Sequence, residues 1–144
     1  HSDKYLRERD CPLLIYQGRL NMLDRAPQEE GILDYCQEHG IGFISFSPLA
    51  QGLLTDRYLK GIPSDSRMAK EHFLKHSALT PELLEQLKGW NEQAASRGET
   101  LAEMALAWIL HQKGVTSVLV GASSTEQLSK NLKCIYAQAF GEDL

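Results

Sequence analysis

The sequence predicts an α/β protein built on a parallel sheet, and three observations carry that expectation. Three short apolar runs, 12–16, 42–46 and 117–120, have the length and unbroken hydrophobicity of strands covered on both faces. Segments with helical punctuation separate them. The resulting order is strand, helix, strand, long loop, two helices, strand, helix. It implies parallel pairing through right-handed crossovers, as in a (β/α)8 TIM barrel or a doubly wound sheet.

Each element has a local reason. The run 12–16 ends at Gln17. After it, Ala26-Pro27-Gln28-Glu29-Glu30 puts proline at a helix start, where a missing N–H is no loss, and acids in the first turn. Ile32, Leu33 and Cys36 continue that helix as an apolar stripe, and Gly40 stops it. The run 42–46 leads into the stretch 49–79, oversized for a strand-to-helix loop; such loops are usually functional. Thr80-Pro81-Glu82 opens the next helix, with Leu83, Leu84, Leu87, Trp90 and Ala94 on one face up to Gly98. Thr100-Leu101-Ala102-Glu103 is a capping box, and Leu101, Met104, Ala105, Trp108 and Ile109 follow at helical spacing. The third run passes into Ser123-Ser124-Thr125-Glu126, read as a second capping box, and a helix to about Ile135.

Composition narrows the function. Of 144 residues, 42% are hydrophobic and 24% charged, which is a globular balance and excludes disorder. Fifteen Lys and Arg against nineteen Asp and Glu give a net charge of −4 with the signs interleaved, so no basic stripe awaits nucleic acid. No apolar run approaches the ~20 residues of a membrane span. The cysteines, Cys11, Cys36 and Cys134, are an odd number without a CxxC pair, the pattern of reduced thiols in a cytoplasmic protein. No repeat or linker divides the chain, so residues 1–144 are expected to form one unit. The sequence starts at His1 rather than methionine and reads as cut from something longer. With three strands where a TIM barrel has eight in ~250 residues, it would supply fewer than half of such a barrel.

In parallel α/β folds, ligands bind where strands end and helices begin. Those positions here are Gln17, then Phe46-Ser47-Pro48-Leu49, then Gly121-Ala122-Ser123-Ser124. The third set offers backbone N–H groups and two hydroxyls at a helix N-terminus, which favours anions such as phosphate; the serines would serve equally as simple caps. Phe46 could stack on a planar ligand or close the core, and Gln17 could hold a carboxamide or sit satisfied in the interior. No catalytic constellation emerges among the scattered histidines. His72 and His76 are spaced i, i+4 but lack an acidic pair, so no metal site is expected. GxSxG, HExxH, P-loop and GxGxxG patterns are absent, the last arguing against a Rossmann site.

Three stretches together resemble the aldo-keto reductase superfamily. Residues 14–25, LIYQGRLNMLDR, are similar to the sixth-strand signature HQxxYNxLxR. Residues 40–67, GIGFISFSPLAQGLLTDRYLKGIPSDSR, resemble the seventh strand and its long loop; residues 115–131, VTSVLVGASSTEQLSKN, resemble the eighth strand and last helix. The wording is nearest the branch of potassium-channel β subunits and bacterial glyceraldehyde-3-phosphate reductases. The resemblance implies the C-terminal part, strands six to eight with their helices, of a (β/α)8 barrel that reduces small carbonyl compounds with NADP(H). It places Gln17 on the nicotinamide carboxamide and Phe46 against the nicotinamide ring. Ser47, Pro48, Leu49, Ala50 and Gln51 would follow the pyrophosphate. Arg57 and Arg67 would reach its phosphates, Gly121, Ser123 and Gln127 the adenosine 2′-phosphate region, and Asn131 the adenine edge.

The sequence departs from the family pattern at Leu20 (usually tyrosine), Lys130 (usually glutamate) and Ser124 (often arginine or asparagine). No basic residue is obvious at the 2′-phosphate position, although Lys130 could partly substitute. The family's Asp, Tyr, Lys and His tetrad has no counterpart here, nor has the fifth-strand SN motif; residues 1–9 resemble the tail of the helix after it. The chain alone is therefore expected to lack reductase activity and to bind NADP(H) weakly or not at all. The alternative expectation is a non-enzymatic half-barrel that associates with itself or a partner. Either way, unpaired sheet edges favour a homo-oligomer.

Overall fold

A computed structural model of the chain describes residues 1–59 and 79–141. Helix α1 (Ser2–Arg7) precedes strand β1 (Ile15–Arg19), helices α2 (Ala26–Glu29) and α3 (Ile32–Glu38), and strand β2 (Gly42–Phe46). Two 3-10 turns, Ala50–Gly52 and Asp56–Tyr58, follow; then come α4 (Pro81–Ser96), α5 (Leu101–Leu110), strand β3 (Ser117–Val118) and α6 (Thr125–Leu132). The described strands form one parallel sheet in the order β1-β2-β3. Gln17 is level with Ile44, and Ile44 with Ser117.

One face of this sheet builds the core. Leu20 and Phe43 are fully buried there with Leu87, Leu101, Met104 and Trp108 from α4 and α5. Helix α5 is the central element: every residue from Glu103 to Ile109 is buried, because α4, α6 and β3 all pack on it. Its capping box is present in both directions, Glu103 N–H to Thr100 Oγ1 at 3.1 Å and Thr100 N–H to Glu103 Oε2 at 3.2 Å. Gly18 keeps the sheet tight, since a Cβ there would lie 2.9 Å from the Tyr16 ring and 3.0 Å from Phe43.

Three sequence expectations need correction. The first strand is displaced from 12–16 to Ile15–Arg19 and is covered at most on one face: Ile15, Gln17 and Arg19 on one side are exposed, and on the other Gly18 is buried while Tyr16 is at the margin of exposure. An apolar run signals burial in the complete environment of a strand; among the described residues nothing covers this second face. The segment after Pro27 is two helices rather than one, because Gly31 takes a left-handed conformation (φ 77°) between them. The third strand pairs over Ser117–Val118 alone, flanked by bonds from Thr116 N–H to Phe43 O at 2.9 Å and from Leu119 N–H to Ser45 O at 2.8 Å. The second strand and the starts of α4 and α5 fall where the sequence puts them.

Candidate functional site

A cleft of about 790 Å³ lies beyond the C-terminal ends of β2 and β3. Its first wall is the turn after β2, to which Ser47, Pro48, Leu49 and Gln51 contribute. Thr55, Arg57 and Tyr58 continue that wall. The opposite wall is the β3–α6 connection with Gly121 and Ser123, and the first turns of α6 with Gln127, Lys130 and Asn131. The N-terminal end of α5, through Thr100 and Ala102, closes one side. Two helix N-termini therefore face one cleft, and positive dipole ends there favour an anion. Arg57 and Lys130 add two cations against the single carboxylate of Asp56 among the described lining residues.

The first wall has an unusual backbone. Ser47, Ala50 and Gln51 have φ values of 51°, 48° and 59°, a left-handed conformation that costs about 1–2 kcal/mol for a residue with a Cβ. Such strain persists only where surrounding contacts fix it. Asn21, almost wholly buried, donates from Nδ2 to Ser47 O at 3.0 Å, and Ser45 Oγ donates to Leu20 O at 2.7 Å. Gly52 (φ 95°) lets the chain turn over the buried Tyr58 ring.

Among the described residues, two buried polar atoms of side chains that line this cleft have no partner, Gln51 Oε1 and Asn131 Nδ2. A buried donor or acceptor left unpaired costs about 1–3 kcal/mol, so both are suited to a ligand that brings a donor and an acceptor. The α6 end is arranged differently from its sequence reading. Ser124, not Ser123, caps the helix, and its Oγ accepts from Gln127 N–H at 3.1 Å. Gln127 Oε1 in turn accepts from Ser123 N–H at 2.7 Å and Ser123 Oγ at 3.0 Å. The capping residue at the third helical position is thus Gln127; Glu126 instead pairs with Lys130 at 3.0 Å. The donors of Ser123 are directed to Gln127 rather than outward, which leaves Nε2 of Gln127 as the donor at this corner.

Of the residues named from sequence, the cleft brings together Ser47, Pro48, Leu49, Gln51, Arg57, Gly121, Ser123, Gln127 and Asn131. Gln17 and Phe46 do not line it. They lie on the open face of the sheet, where Gln17 is exposed and the half-buried Phe46 has the Arg19 guanidinium 5.6 Å from its ring centre. Gln17 is mid-strand, not at the strand end. Ala50 belongs to the same strained turn and packs against Leu53 and Tyr58. Arg67, His72 and His76 lie outside the described residues. Sequence reasoning missed Asn21. Its signal is an asparagine two residues after the strand end: its Oδ1 accepts from Leu23 N–H at 2.9 Å and Asp24 N–H at 2.8 Å, an Asx turn. Leu20, where the family pattern has tyrosine, is fully buried in the core.

Comparison with known proteins agrees with this geometry. The profile of the aldo/keto reductase family matches residues 1–141. The chain is 49% identical over 135 residues to L-glyceraldehyde 3-phosphate reductase of Escherichia coli (strain K12), covering 90% of this chain and 39% of that protein. It is 38% identical over 125 residues to a probable voltage-gated potassium channel subunit beta of Arabidopsis thaliana, covering 85% of this chain and 38% of that one. The crystal structure of a thermostable aldo-keto reductase in complex with the inhibitor epalrestat superposes with a TM-score of 0.67 at 23% identity, over 96% of this chain and 40% of the other. The chain thus spans about two fifths of the length of the relatives it matches. The parallel sheet, the cleft at its strand ends and these similarities establish that the chain belongs to the aldo/keto reductase family.

Proposed function

We propose that this chain forms the dinucleotide-holding wall of an NADP(H)-dependent aldo-keto reductase, as strands six to eight of its barrel with their helices. The observation that carries the reading is a cleft that receives two helix N-termini and is lined by Gln51 and Asn131, whose buried Oε1 and Nδ2 have no partner among the described residues. An adenine edge or a ribose offers the complementary donor and acceptor, and a pyrophosphate the complementary charge. In this reading Ser47 to Gln51 and Arg57 follow the pyrophosphate, Asn131 meets the adenine, and Gly121, Gln127 and Lys130 hold the 2′-phosphate region. Lys130, its ammonium now on Glu126, is the residue that would favour NADP(H) over NAD(H). Gln17 and Phe46 on the open sheet face would take the nicotinamide end.

The bound dinucleotide would supply the hydride for a small carbonyl substrate. This chain's own part is to bind and orient. No residue of the 144 takes the place of the family's Asp, Tyr, Lys and His, so a proton donor for the carbonyl oxygen must come from elsewhere. The free thiols Cys11, Cys36 and Cys134 support a reducing, cytoplasmic setting. Calorimetric titration with NADP+ and NAD+ tests the reading: weak binding, tighter for NADP+ and lost in Asn131→Ala, is expected, with no turnover of glyceraldehyde 3-phosphate or methylglyoxal with NADPH. Turnover by the chain alone, or equal binding by Asn131→Ala, would sink it.

A second reading, self-association, rests on a specific observation. Leu14, Ile15 and Tyr16 at β1, and Leu119 beside β3, are exposed large apolar residues next to the outer strand edges, which have no partner among the described residues. Light scattering at tens of micromolar should give a mass above the 16.2 kDa of one chain; a clean monomer contradicts it.

A further inference from the structure

We infer that Asn21 is a positioning residue: it holds the turn after β2 in the left-handed form that shapes the cleft, without itself touching a ligand. The inference rests on the dinucleotide reading for its functional consequence and on geometry alone for its mechanism. Asn21 is only 2% exposed and its side chain is fully directed. Oδ1 accepts from the Leu23 and Asp24 amides, and the Asn21 and Asp24 backbones bond each other in both directions, at 3.0 and 3.2 Å. The residue is therefore fixed within its own loop, and Nδ2 is aimed at a single target, the carbonyl of Ser47 at 3.0 Å.

Ser47 is where the chain leaves β2 and enters the left-handed region, followed by Pro48, which offers no N–H. Its carbonyl also accepts from Ala50 N–H at 3.1 Å, so this one oxygen closes the turn and receives the clamp. The next closures, Gly52 N–H to Leu49 O and Leu54 N–H to Leu49 O, both at 3.0 Å, depend on that first one being in place. Without the Asn21 donor, Ser47 would relax toward a right-handed or extended conformation. Gln51, which lines the cleft and whose buried Oε1 has no partner among the described residues, would move with it. Ser45 Oγ on Leu20 O ties the end of β2 to the residue before Asn21 and keeps the two connections adjacent when Asn21 is changed.

Asn21→Asp retains the acceptor for Leu23 and Asp24 but replaces the donor facing Ser47 with oxygen, and Ser47→Gly removes the reason a clamp is needed. Amide exchange by NMR on the 144-residue chain should show Ala50 and Gly52 about tenfold faster in Asn21→Asp, with the amides of α5 unchanged. NADP+, the probe, should bind about tenfold more weakly to Asn21→Asp, and that loss should shrink to about threefold in a Ser47→Gly background. Unchanged exchange at Ala50 and Gly52, or an equal loss of NADP+ affinity in both backgrounds, overturns the role. Should Asn21→Asp unfold, as loss of α5 protection would reveal, Asn21→Ser, which keeps a local acceptor but cannot reach Ser47, supplies the same comparison. A wild-type chain that ignores NADP+ overturns the dinucleotide reading alone, and the exchange measurement still decides the role of Asn21.

Discussion

Single residues account for most of what the cleft can do, and several were visible in the sequence with more than one role open to them. Ser123 and Ser124 read either as hydroxyls at a phosphate or as simple caps; in the structure both are engaged with Gln127, Ser124 as the cap, because a glutamine at the third helical position reaches back to the residues before the helix. Asn131 was legible only through family resemblance. Its burial with an unsatisfied donor is a tertiary property that no local pattern encodes. The thiols make a direct prediction at this scale. Burial pushes the Cys36 and Cys134 thiols up from their ordinary range, whereas Cys11 is exposed. Iodoacetamide at neutral pH should modify Cys11 first, with the other two reacting only on denaturation; rapid labelling of all three would contradict their packing.

A second residue-scale device ties α1 to α3. Arg7 Nε donates to Asp3 Oδ2 at 2.8 Å, Tyr35 Oη donates to the same oxygen at 2.8 Å, and Arg7 also reaches His39 O at 2.7 Å. The Arg7 hydrogen bond, opposed by desolvation, holds the Asp3 carboxyl below its ordinary value; the bond to Asp3 holds the Tyr35 phenol above its own. Asp3 thus contributes stability that is present above the ordinary carboxylate range and lost as pH falls through its lowered value. Tyr35 contributes stability present below the ordinary tyrosine range and lost as pH rises through its raised value. Melting temperature followed below about pH 4 should fall more steeply for the wild type than for Asp3→Asn, which has no proton to take up there. Parallel acid limbs would contradict the linkage.

At the scale of elements, helices were easier to read than strands. The punctuation of α4 and α5 is local: Thr80 and Thr100 accept from the amides of Leu83 and Glu103. Those caps work regardless of the rest of the fold. Strand boundaries depend on partners, and β1 moved three residues from its apolar run because pairing with β2 sets the register. The break between α2 and α3 came from Gly31, a residue that a continuous stripe of Ile32, Leu33 and Cys36 concealed. Thr100→Ala should therefore destabilise the chain by about 1 kcal/mol through lost capping. Trp108→Ala, which empties the centre of the core beneath Arg25, should cost about 3–5 kcal/mol. Urea unfolding of both variants checks the ranking, and a larger loss for the cap than for the tryptophan would contradict the placement of α5.

For the whole molecule, the α/β class and the parallel order followed from alternation of elements, and the cleft fell where strand ends meet helix starts. What composition could not convey is one-sidedness. The runs in β1 and β3 have the hydrophobicity of strands enclosed on both faces, yet Leu14, Ile15 and Leu119 are exposed. A sequence encodes the burial of the complete assembly in which its residues work, and the relatives that share this fold are about two and a half times longer than the matched region. The central claim is that the cleft between the β2 turn and α6 is the dinucleotide site. It is tested most directly by titrating NADP+ into the isotope-labelled chain and mapping amide shifts. Saturable changes at about millimolar ligand are expected at Ser47–Gly52, Arg57, Gly121–Gln127, Lys130 and Asn131, with Gln17 and Phe46 responding if the nicotinamide end is held; no response in the cleft, or shifts centred instead on a second cavity lined by Asp3, Leu13, Tyr35 and Cys36, would contradict it.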